Sequence, residues 1–233
     1  MAKRALVTGG NKGIGLEVTK QFLEKGYEVI VVARDFSSFD IKDDKVTTIE
    51  YDLSKDVKLL PSLVEKIGNV DILINNAGFM QPKYSYDNYP VEAKQRILNV
   101  DLHTPVELMT LLSKSMVENN YGRIVNTASI AGQIGHPDIW YGIAKAGLIN
   151  ATKIYAKLLG SNGIAVNCVA PSPVETDMQK DNSQERKAEF KKTVVSGRFA
   201  EPSEIAKAIV WLATDCPEYI TGTTMDINNA SYV

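Results

Sequence analysis

A glycine-rich turn directly after the first predicted strand is the feature that most constrains the fold of this chain. The apolar run at 5–7 leads into TGGNKGIG at 8–15, and a helix is predicted from 13 to 25. Glycines permit a tight turn and let the backbone approach a pyrophosphate, while the helix N-terminus offers free N–H groups. This order of elements indicates a dinucleotide-binding α/β fold, with an ordinary glycine turn as the alternative.

The rest of the chain alternates short apolar runs with helical patterns. Runs such as VIVVA and DILIN are continuously apolar, as in strands buried on both faces of a parallel sheet. We predict an α/β, single-domain Rossmann fold over residues 1–233, a doubly wound parallel sheet of about seven strands that binds ligand outside their carboxyl ends. The predicted strands are 4–8, 28–33, 46–51, 70–75, 122–127, 164–169 and 223–227, and the further helices are 54–67, about 91–118, 141–159 and 203–214.

Composition and charge give no indication of a nucleic-acid or membrane partner. The 233 residues carry a formal net charge of -2, and no long run of one sign occurs. Cys168 and Cys216 lack metal-ligand or redox spacing, so we predict two buried thiols, a reducing compartment and no metal site. The first apolar run is too short for a signal-peptide core or a membrane span, which favours a cytoplasmic protein.

The residues that end the second predicted strand bear on the choice of cofactor. Dinucleotide enzymes that prefer NAD place an acidic residue here for the ribose hydroxyls, whereas this chain has Arg34. A guanidinium suits the 2′-phosphate of NADP, and Lys12 in the glycine turn adds a second cation. The adjacent Asp35 favours the opposite choice, and two solvated surface charges are the alternative interpretation of Arg34 and Lys12.

Tyr141 and Lys145 form a candidate acid/base pair near the start of a predicted helix. Side chains four residues apart share one helical face. A phenol has a pKa of about 10, and a nearby ammonium is expected to lower it towards the working range. Ser129 follows the fifth predicted strand, where a hydroxyl can donate to a substrate carbonyl oxygen. A YxxxK spacing alone is common, so the prediction depends on the serine and the glycine turn as well.

Together these motifs resemble the short-chain dehydrogenase/reductase family in order and spacing, over about residues 3–228. The resemblance implies that Ser129, Tyr141 and Lys145 are catalytic and that Lys145 also binds the nicotinamide ribose. The motifs that carry it are TGxxxGIG at 8–15, NNAG at 75–78, Ser129, Tyr141-xxx-Lys145 and Asn167. The cofactor contacts that it implies are Thr8, Gly9, Asn11, Lys12, Gly13, Ile14, Gly15, Arg34, Asp52, Leu53, Asn76, Ala77, Gly78, Tyr141, Lys145, Pro171, Val174 and Thr176.

Asp101 departs from the family's catalytic pattern. The family carries an asparagine in a VNL-like run, which holds a water in a proton relay to the lysine, and this chain reads Val100-Asp101-Leu102. A carboxylate can still accept from water, and charge pairing would raise the pKa of Lys145. Asp101 is therefore a candidate member of the catalytic group. Asn99, two positions away, is expected to face elsewhere.

The substrate is expected to touch residues 132–140 and a substrate loop at about 175–199. This polar, Lys-rich loop is either a lid that orders on binding or a solvated surface helix. Within the family the chain most resembles β-ketoacyl-(acyl-carrier-protein) reductases, but the basic residues by which those dock the carrier are missing here, apart from Arg123. The predicted pocket residues are Ile134, His136, Ile139 and Trp140, although a histidine beside Pro137 is more often simply exposed.

The predicted function is that of an NADP(H)-dependent oxidoreductase acting on a small ketone, aldehyde or secondary alcohol. A 3-oxoacyl-(acyl-carrier-protein) reductase is the alternative, and a non-catalytic NADP-binding regulatory protein is the rival from another class. A sugar-nucleotide epimerase fits the length and glycine spacing less well. By family analogy we expect a homo-oligomer, a tetramer or a dimer. Asn228 and Asn229 stand where the family has a glycine pair, and asparagine can adopt the left-handed conformation that glycine favours, so we expect the same turn here.

Overall fold

Seven strands form one parallel sheet in a computed structural model that describes residues 2–80, 84–180 and 182–232. The strand order is β3-β2-β1-β4-β5-β6-β7, which confirms the predicted doubly wound parallel sheet. Each neighbouring pair is parallel, so all the carboxyl ends of the strands lie at one edge of the sheet. The strands are β1 Arg4–Thr8, β2 Glu28–Ala33, β3 Val46–Glu50, β4 Ile72–Asn75, β5 Gly122–Thr127, β6 Ile164–Pro171 and β7 Thr224–Ile227.

Helices cover both faces of the sheet, because successive residues of a buried strand point to opposite faces and both need apolar partners. In β1, Val7 packs with the face that carries α1 and α8, and Leu6 packs with the face that carries α2, α4 and α6. The helices are α1 Gly13–Glu24, α2 Leu60–Ile67, α3 Val91–Leu98, α4 Thr104–Glu118, α5 Ala131–Ile134, α6 Ile139–Leu159, α7 Gln184–Thr193 and α8 Pro202–Ala213.

Several predicted boundaries were wrong, and capping explains two of them. The helix predicted from 54 starts with a 3-10 turn at Val57–Leu59, because the Asp56 side chain caps this turn by accepting from the Lys58 N–H at 3.0 Å. The helix predicted from 141 starts at Ile139, since the Asp138 side chain caps it by accepting from the Tyr141 N–H at 3.3 Å. The short α5 was not predicted.

The long helix predicted at about 91–118 is interrupted by one wide turn. Asn99–His103 is π-helical and joins α3 to α4. Such turns are rare and often occur at functional sites, because they rotate the side chains on either side relative to each other. Here Asn99 faces the loop after β3, where its amide donates to the Ser54 carbonyl oxygen at 2.8 Å, and Asp101 is fully buried.

The chain end and the two cysteines match their predictions in part. Asn229 adopts the left-handed conformation at φ 49°, as expected, but the second such residue is Ala230 rather than Asn228. Cys168 and Cys216 are buried free thiols. Among residues 2–80, 84–180 and 182–232, no helix is long and apolar enough to cross a membrane, and no cluster of metal-ligating side chains was found.

Candidate active site

A cavity of about 1270 Å³ opens at the carboxyl ends of the strands, where the strand order reverses between β1 and β4. Helices cross over in opposite directions on either side of this point, so the loops separate and leave a crevice. Nearly all the predicted site residues line it, while Thr8, Gly15 and Asp101 lie behind its wall. Those on the wall are Gly9, Asn11, Lys12, Gly13, Ile14, Arg34, Asp52, Leu53, Asn76, Ala77, Gly78, Ser129, Tyr141, Lys145, Pro171, Val174 and Thr176.

The glycine turn fits a bound pyrophosphate. A Cβ on Gly15 would lie 2.1 Å from the Gly9 carbonyl oxygen, and Gly9 and Gly13 have positive φ angles of 65° and 54°. Only glycine meets these demands without strain. The first turn of α1 has no side-chain cap from Lys12, so its N–H groups are available to an anion. The turn therefore has the shape and polarity that a dinucleotide phosphate needs.

Hydrogen bonds fix the ends of β1 and β4 against each other at this crevice. The Thr8 hydroxyl accepts from the backbone N–H groups of Asn76 and Ala77 at 3.0 and 3.1 Å. In return the Asn76 amide donates to the carbonyl oxygens of Thr8 and Gly9 at 3.1 and 3.3 Å. The predicted contacts Thr8 and Asn76 thus shape the crevice partly through backbone contacts.

Opposite the glycine turn, α6 brings Tyr141 and Lys145 onto one buried face, as the spacing predicts. The Lys145 ammonium lies 5.6 Å from the centre of the Tyr141 ring and donates to the Thr127 carbonyl oxygen at 2.8 Å. The Ser129 hydroxyl is close enough to the Tyr141 phenol to lower its pKa, and the Ser129 oxygen accepts from the Ala131 N–H at 3.1 Å. A hydroxyl, a phenol and an amine are therefore gathered at one point of the cavity wall.

Asp101 joins this group through a direct ion pair with Lys145. The distance from Nζ to Oδ1 is 3.0 Å, and the two side chains are 3% and 0% exposed. The other carboxylate oxygen accepts from the Phe79 N–H at 3.1 Å. Burial lowers the pKa of the amine, but the Asp101 carboxylate, together with Tyr141 and Cys168, raises it by more, so the pKa of Lys145 is raised, as the sequence suggested.

Lys145 lowers the pKa of Tyr141, as expected, but the net shift of this pKa is upward and not towards the working range. Burial raises the pKa of the phenol, and the Asp101 carboxylate acts in the same direction. The Lys145 ammonium and the Ser129 hydroxyl lower the pKa, but their sum is smaller. The sequence argument counted the cation and left out the anion that pairs with it.

The substrate end of the cavity differs from its prediction. His136 is half-buried rather than exposed, because its ring packs edge-on against the Tyr141 ring with the centres 5.3 Å apart. Burial lowers its pKa, which favours the neutral form. Ile134 and His136 line the cavity as predicted, but Ile139 and Trp140 do not, and the Trp140 ring instead lies beneath the Lys94 ammonium. The sequence missed Phe79 and Met80 here, whereas Met178, Arg186, Lys187 and Phe190 belong to the predicted substrate loop.

At the far end of the cavity the predicted cations stand close to carboxylates. Lys12 pairs with Asp177 at 3.1 Å. Burial raises the pKa of Asp52, but hydrogen bonds from Ser54 and the charges of Arg34 and Arg96 together hold this pKa below its usual value. The Asp35 carboxylate accepts from the N–H and hydroxyl of Ser37, both at 2.8 Å, and is therefore held within its own loop.

Comparison with known proteins identifies the family. A family model described as Enoyl-(Acyl carrier protein) reductase matches residues 9–229. The 3-oxoacyl-(acyl-carrier-protein) reductase FabG of Haemophilus influenzae is 34% identical, over 99% of this chain and 98% of its own length, and that of Vibrio cholerae is 33% identical, over 99% and 98%.

Solved structures agree with these sequence matches. A short chain dehydrogenase/reductase family protein superposes with a TM-score of 0.86 at 30% identity, covering 99% of this chain and 97% of that one. A 4-hydroxyisoleucine dehydrogenase complexed with NADH superposes with a TM-score of 0.90 at 26% identity, over 98% of each chain. The chain therefore belongs to the short-chain dehydrogenase/reductase family, whose members are nicotinamide-dependent oxidoreductases.

Proposed function

We propose that this chain is an NADP(H)-dependent reductase or dehydrogenase that acts on a small ketone, aldehyde or secondary alcohol. The observation that carries the proposal is the meeting of Ser129, Tyr141 and Lys145 at the wall of the cavity that the glycine turn closes. The bound nicotinamide supplies or accepts the hydride. The protein then has to orient the substrate oxygen and to exchange one proton with it.

Each side chain has a distinct part in that proton exchange. The Ser129 hydroxyl donates to the substrate oxygen and stabilises the charge that develops there. The Tyr141 phenol gives its proton to the oxygen in reduction and takes it back in oxidation. Lys145 keeps two contacts, with Asp101 and Thr127, and so has one N–H left for the nicotinamide ribose.

The cofactor choice rests on the residues of this chain, because one similar solved structure contains NADH. Arg34 is exposed at the end of β2, where a 2′-phosphate would lie, and Lys12 is within reach of the same place. Asp35 is turned into its own loop by Ser37, which reduces its repulsion of a phosphate and its use as a ribose ligand. We therefore favour NADP(H) over NAD(H).

A 3-oxoacyl-(acyl-carrier-protein) reductase is the second candidate, supported by the names and identities of the FabG relatives. Against it, Arg123, the one cation left at the expected docking position, is buried and paired with Glu218 at 2.8 Å. A paired and buried guanidinium offers little steering to an acidic carrier. We rank a small free carbonyl compound first, with residues 175–199 as the substrate loop and a homo-oligomer as the working assembly.

The test is a screen for NADPH consumption over ketones, aldehydes and thioesters, with Tyr141→Phe as the matched control. Turnover that depends on Tyr141 with free ketones or aldehydes supports the first candidate. Turnover at low concentration with carrier-bound ketoacyl substrates alone favours the second. Tight NADPH binding without turnover on any substrate would instead support a regulatory protein.

A further inference from the structure

We propose that Asp101 is a positioning residue that keeps the Tyr141 phenol protonated by neutralising Lys145, so that the group is set for carbonyl reduction. The inference rests on the proposed function for its meaning in catalysis. Its physical basis is the buried ion pair, which is independent of any substrate. The asparagine that the family carries at this position has no charge and cannot neutralise the lysine. The comparisons with known proteins do not describe such a role either.

The contacts hold the carboxylate in place and leave it little freedom. One oxygen of Asp101 pairs with the ammonium at 3.0 Å, and the other accepts from the Phe79 N–H at 3.1 Å. The space is tight, since a Cβ on Gly78 would lie 3.3 Å from the carboxylate and 3.7 Å from Lys145 Nζ. The carboxylate therefore contacts the lysine directly, with no water needed between the two groups.

Counting charges shows what this pair does to the phenol. Burial raises the pKa of the Asp101 carboxyl, while the Lys145 ammonium and the Phe79 N–H favour the carboxylate, and the 3.0 Å contact is that of an ion pair. With Asp101 ionised, Lys145 protonated and Tyr141 neutral, the buried trio has no net charge. Loss of the phenol proton would leave one uncompensated negative charge in a buried site, which is unfavourable. With asparagine at 101 the trio would begin with one positive charge, and loss of the proton would make it neutral. The carboxylate thus retains the proton on the phenol.

The other titratable groups around the trio do not reverse this count. His136 on the α5–α6 loop is favoured as neutral by burial, and burial raises the pKa of the Cys168 thiol on β6 to about 11. Asp138 caps α6, accepts from the Tyr89 hydroxyl at 2.9 Å and adds negative charge near the phenol. The Arg96 guanidinium on α3 lies 4.2 Å from the centre of the Phe79 ring and is not among the groups that shift the pKa of Tyr141 or Lys145.

The consequence concerns the pH range of each direction of catalysis. Carbonyl reduction needs the protonated phenol as a donor, whereas alcohol oxidation needs the phenolate as an acceptor. A phenol that holds its proton supports reduction to higher pH and delays oxidation to alkaline pH. The oxidised nicotinamide is positively charged, so phenolate formation would be favoured mainly when that form is bound.

The direct test is an ultraviolet titration of Tyr141 in the cofactor-free protein, isolated by subtracting the same titration of Tyr141→Phe. In Asp101→Asn we expect the midpoint to fall by about one pH unit or more, since a neighbouring charge shifts a pKa by that amount. Asp215→Asn is the matched control, because it removes a carboxylate from an exposed pair with Lys25. An unmoved midpoint in Asp101→Asn would overturn the inference.

A second variant guards against poor folding of Asp101→Asn. The double variant Asp101→Asn/Lys145→Gln removes both charges and restores the neutral count of the wild type. Its midpoint is expected to return to within about half a pH unit of the wild type, and above that of Asp101→Asn. A double variant that titrates at or below the single variant would contradict the charge count.

Activity then separates the inference from the proposed function. With any carbonyl substrate found in the screen, the alkaline limb of reduction in Asp101→Asn should move down by about one pH unit, and the limb of alcohol oxidation should move with it. If the titration midpoint of Tyr141 shifts but no substrate is turned over, the proposed function is wrong and the inference about ionisation stands. Turnover with an unmoved titration would remove the inference alone.

Discussion

Two ion pairs of similar length stand at opposite ends of the cavity and differ almost completely in their surroundings. Lys145 and Asp101 are 3.0 Å apart with side chains 3% and 0% exposed. Lys12 and Asp177 are 3.1 Å apart with side chains 58% and 48% exposed. Similar distances thus describe one pair that is almost completely buried and one that water and salt can replace.

The difference explains how one cavity can both hold a fixed proton donor and admit a charged ligand. The buried pair lies between Thr127 and Phe79, whose backbone groups hydrogen-bond to it. Removing either charge would therefore leave the other buried and unpaired, which is unfavourable. The attraction within the exposed pair contributes little free energy, so a phosphate can replace Asp177 as the partner of Lys12 at small cost. The difference in burial thus separates a charge pair that stays in place from one whose partner a ligand can replace.

The largest expected effect is at the buried end, where Tyr141→Phe removes the proposed proton donor. We expect kcat to fall by about 10³-fold, within the usual contribution of general acid catalysis. NADPH affinity should change little, because the ring and its packing against His136 are kept. Steady-state kinetics and a binding titration measure the two effects, and a loss below about tenfold would assign the proton transfer to another group.

Asp101→Ala tests the buried pair itself. It leaves the Lys145 charge buried without its carboxylate, which typically costs about 3–5 kcal/mol of the free energy of unfolding. Urea unfolding of the purified variant measures the loss. The same measurement on Asp101→Asn should give a smaller loss, since an amide still offers an acceptor to the amine. A loss below about 1 kcal/mol for Asp101→Ala would mean that the pair is not buried in solution.

Arg34→Asp tests the exposed end for cofactor choice. The wild type should prefer NADPH, and the variant should lose about 10- to 100-fold in kcat/KM for NADPH while gaining with NADH, because a charge-assisted contact is replaced by repulsion. The ratio of kcat/KM for the two cofactors is the measurement. Equal values of kcat/KM for the two cofactors in the wild type would remove the NADP assignment.

The smallest expected effect is that of Asp177→Ala. Breaking this exposed pair should change the free energy of unfolding by less than about 1 kcal/mol. It also frees Lys12, so NADPH binding should tighten a few-fold at low salt and return towards the wild-type value as salt is raised. A loss of stability as large as that of Asp101→Ala would show that the exposed and the buried ion pair contribute equally to the free energy of unfolding.

The sequence by itself determined the sheet and much of the cavity wall. Alternating apolar runs and helices specify a doubly wound parallel sheet, because strands covered on both faces need this pattern. The glycine turn at 8–15 and the spacing of Tyr141 and Lys145 also encode local geometry, since each depends on neighbours a few residues away. These are interactions that a linear pattern can express.

Only the tertiary structure decided which charges meet. The chain separates Asp101 from Lys145 by more than a whole strand and helix, and Asp101 itself lies in a π-helical turn, which sets the direction in which its carboxylate points. The burial of His136 against Tyr141 and the pairing of Lys12 with Asp177 are likewise contacts between distant or irregular segments. Electrostatic effects depend on distance and on access to water, and neither quantity is written in the order of residues.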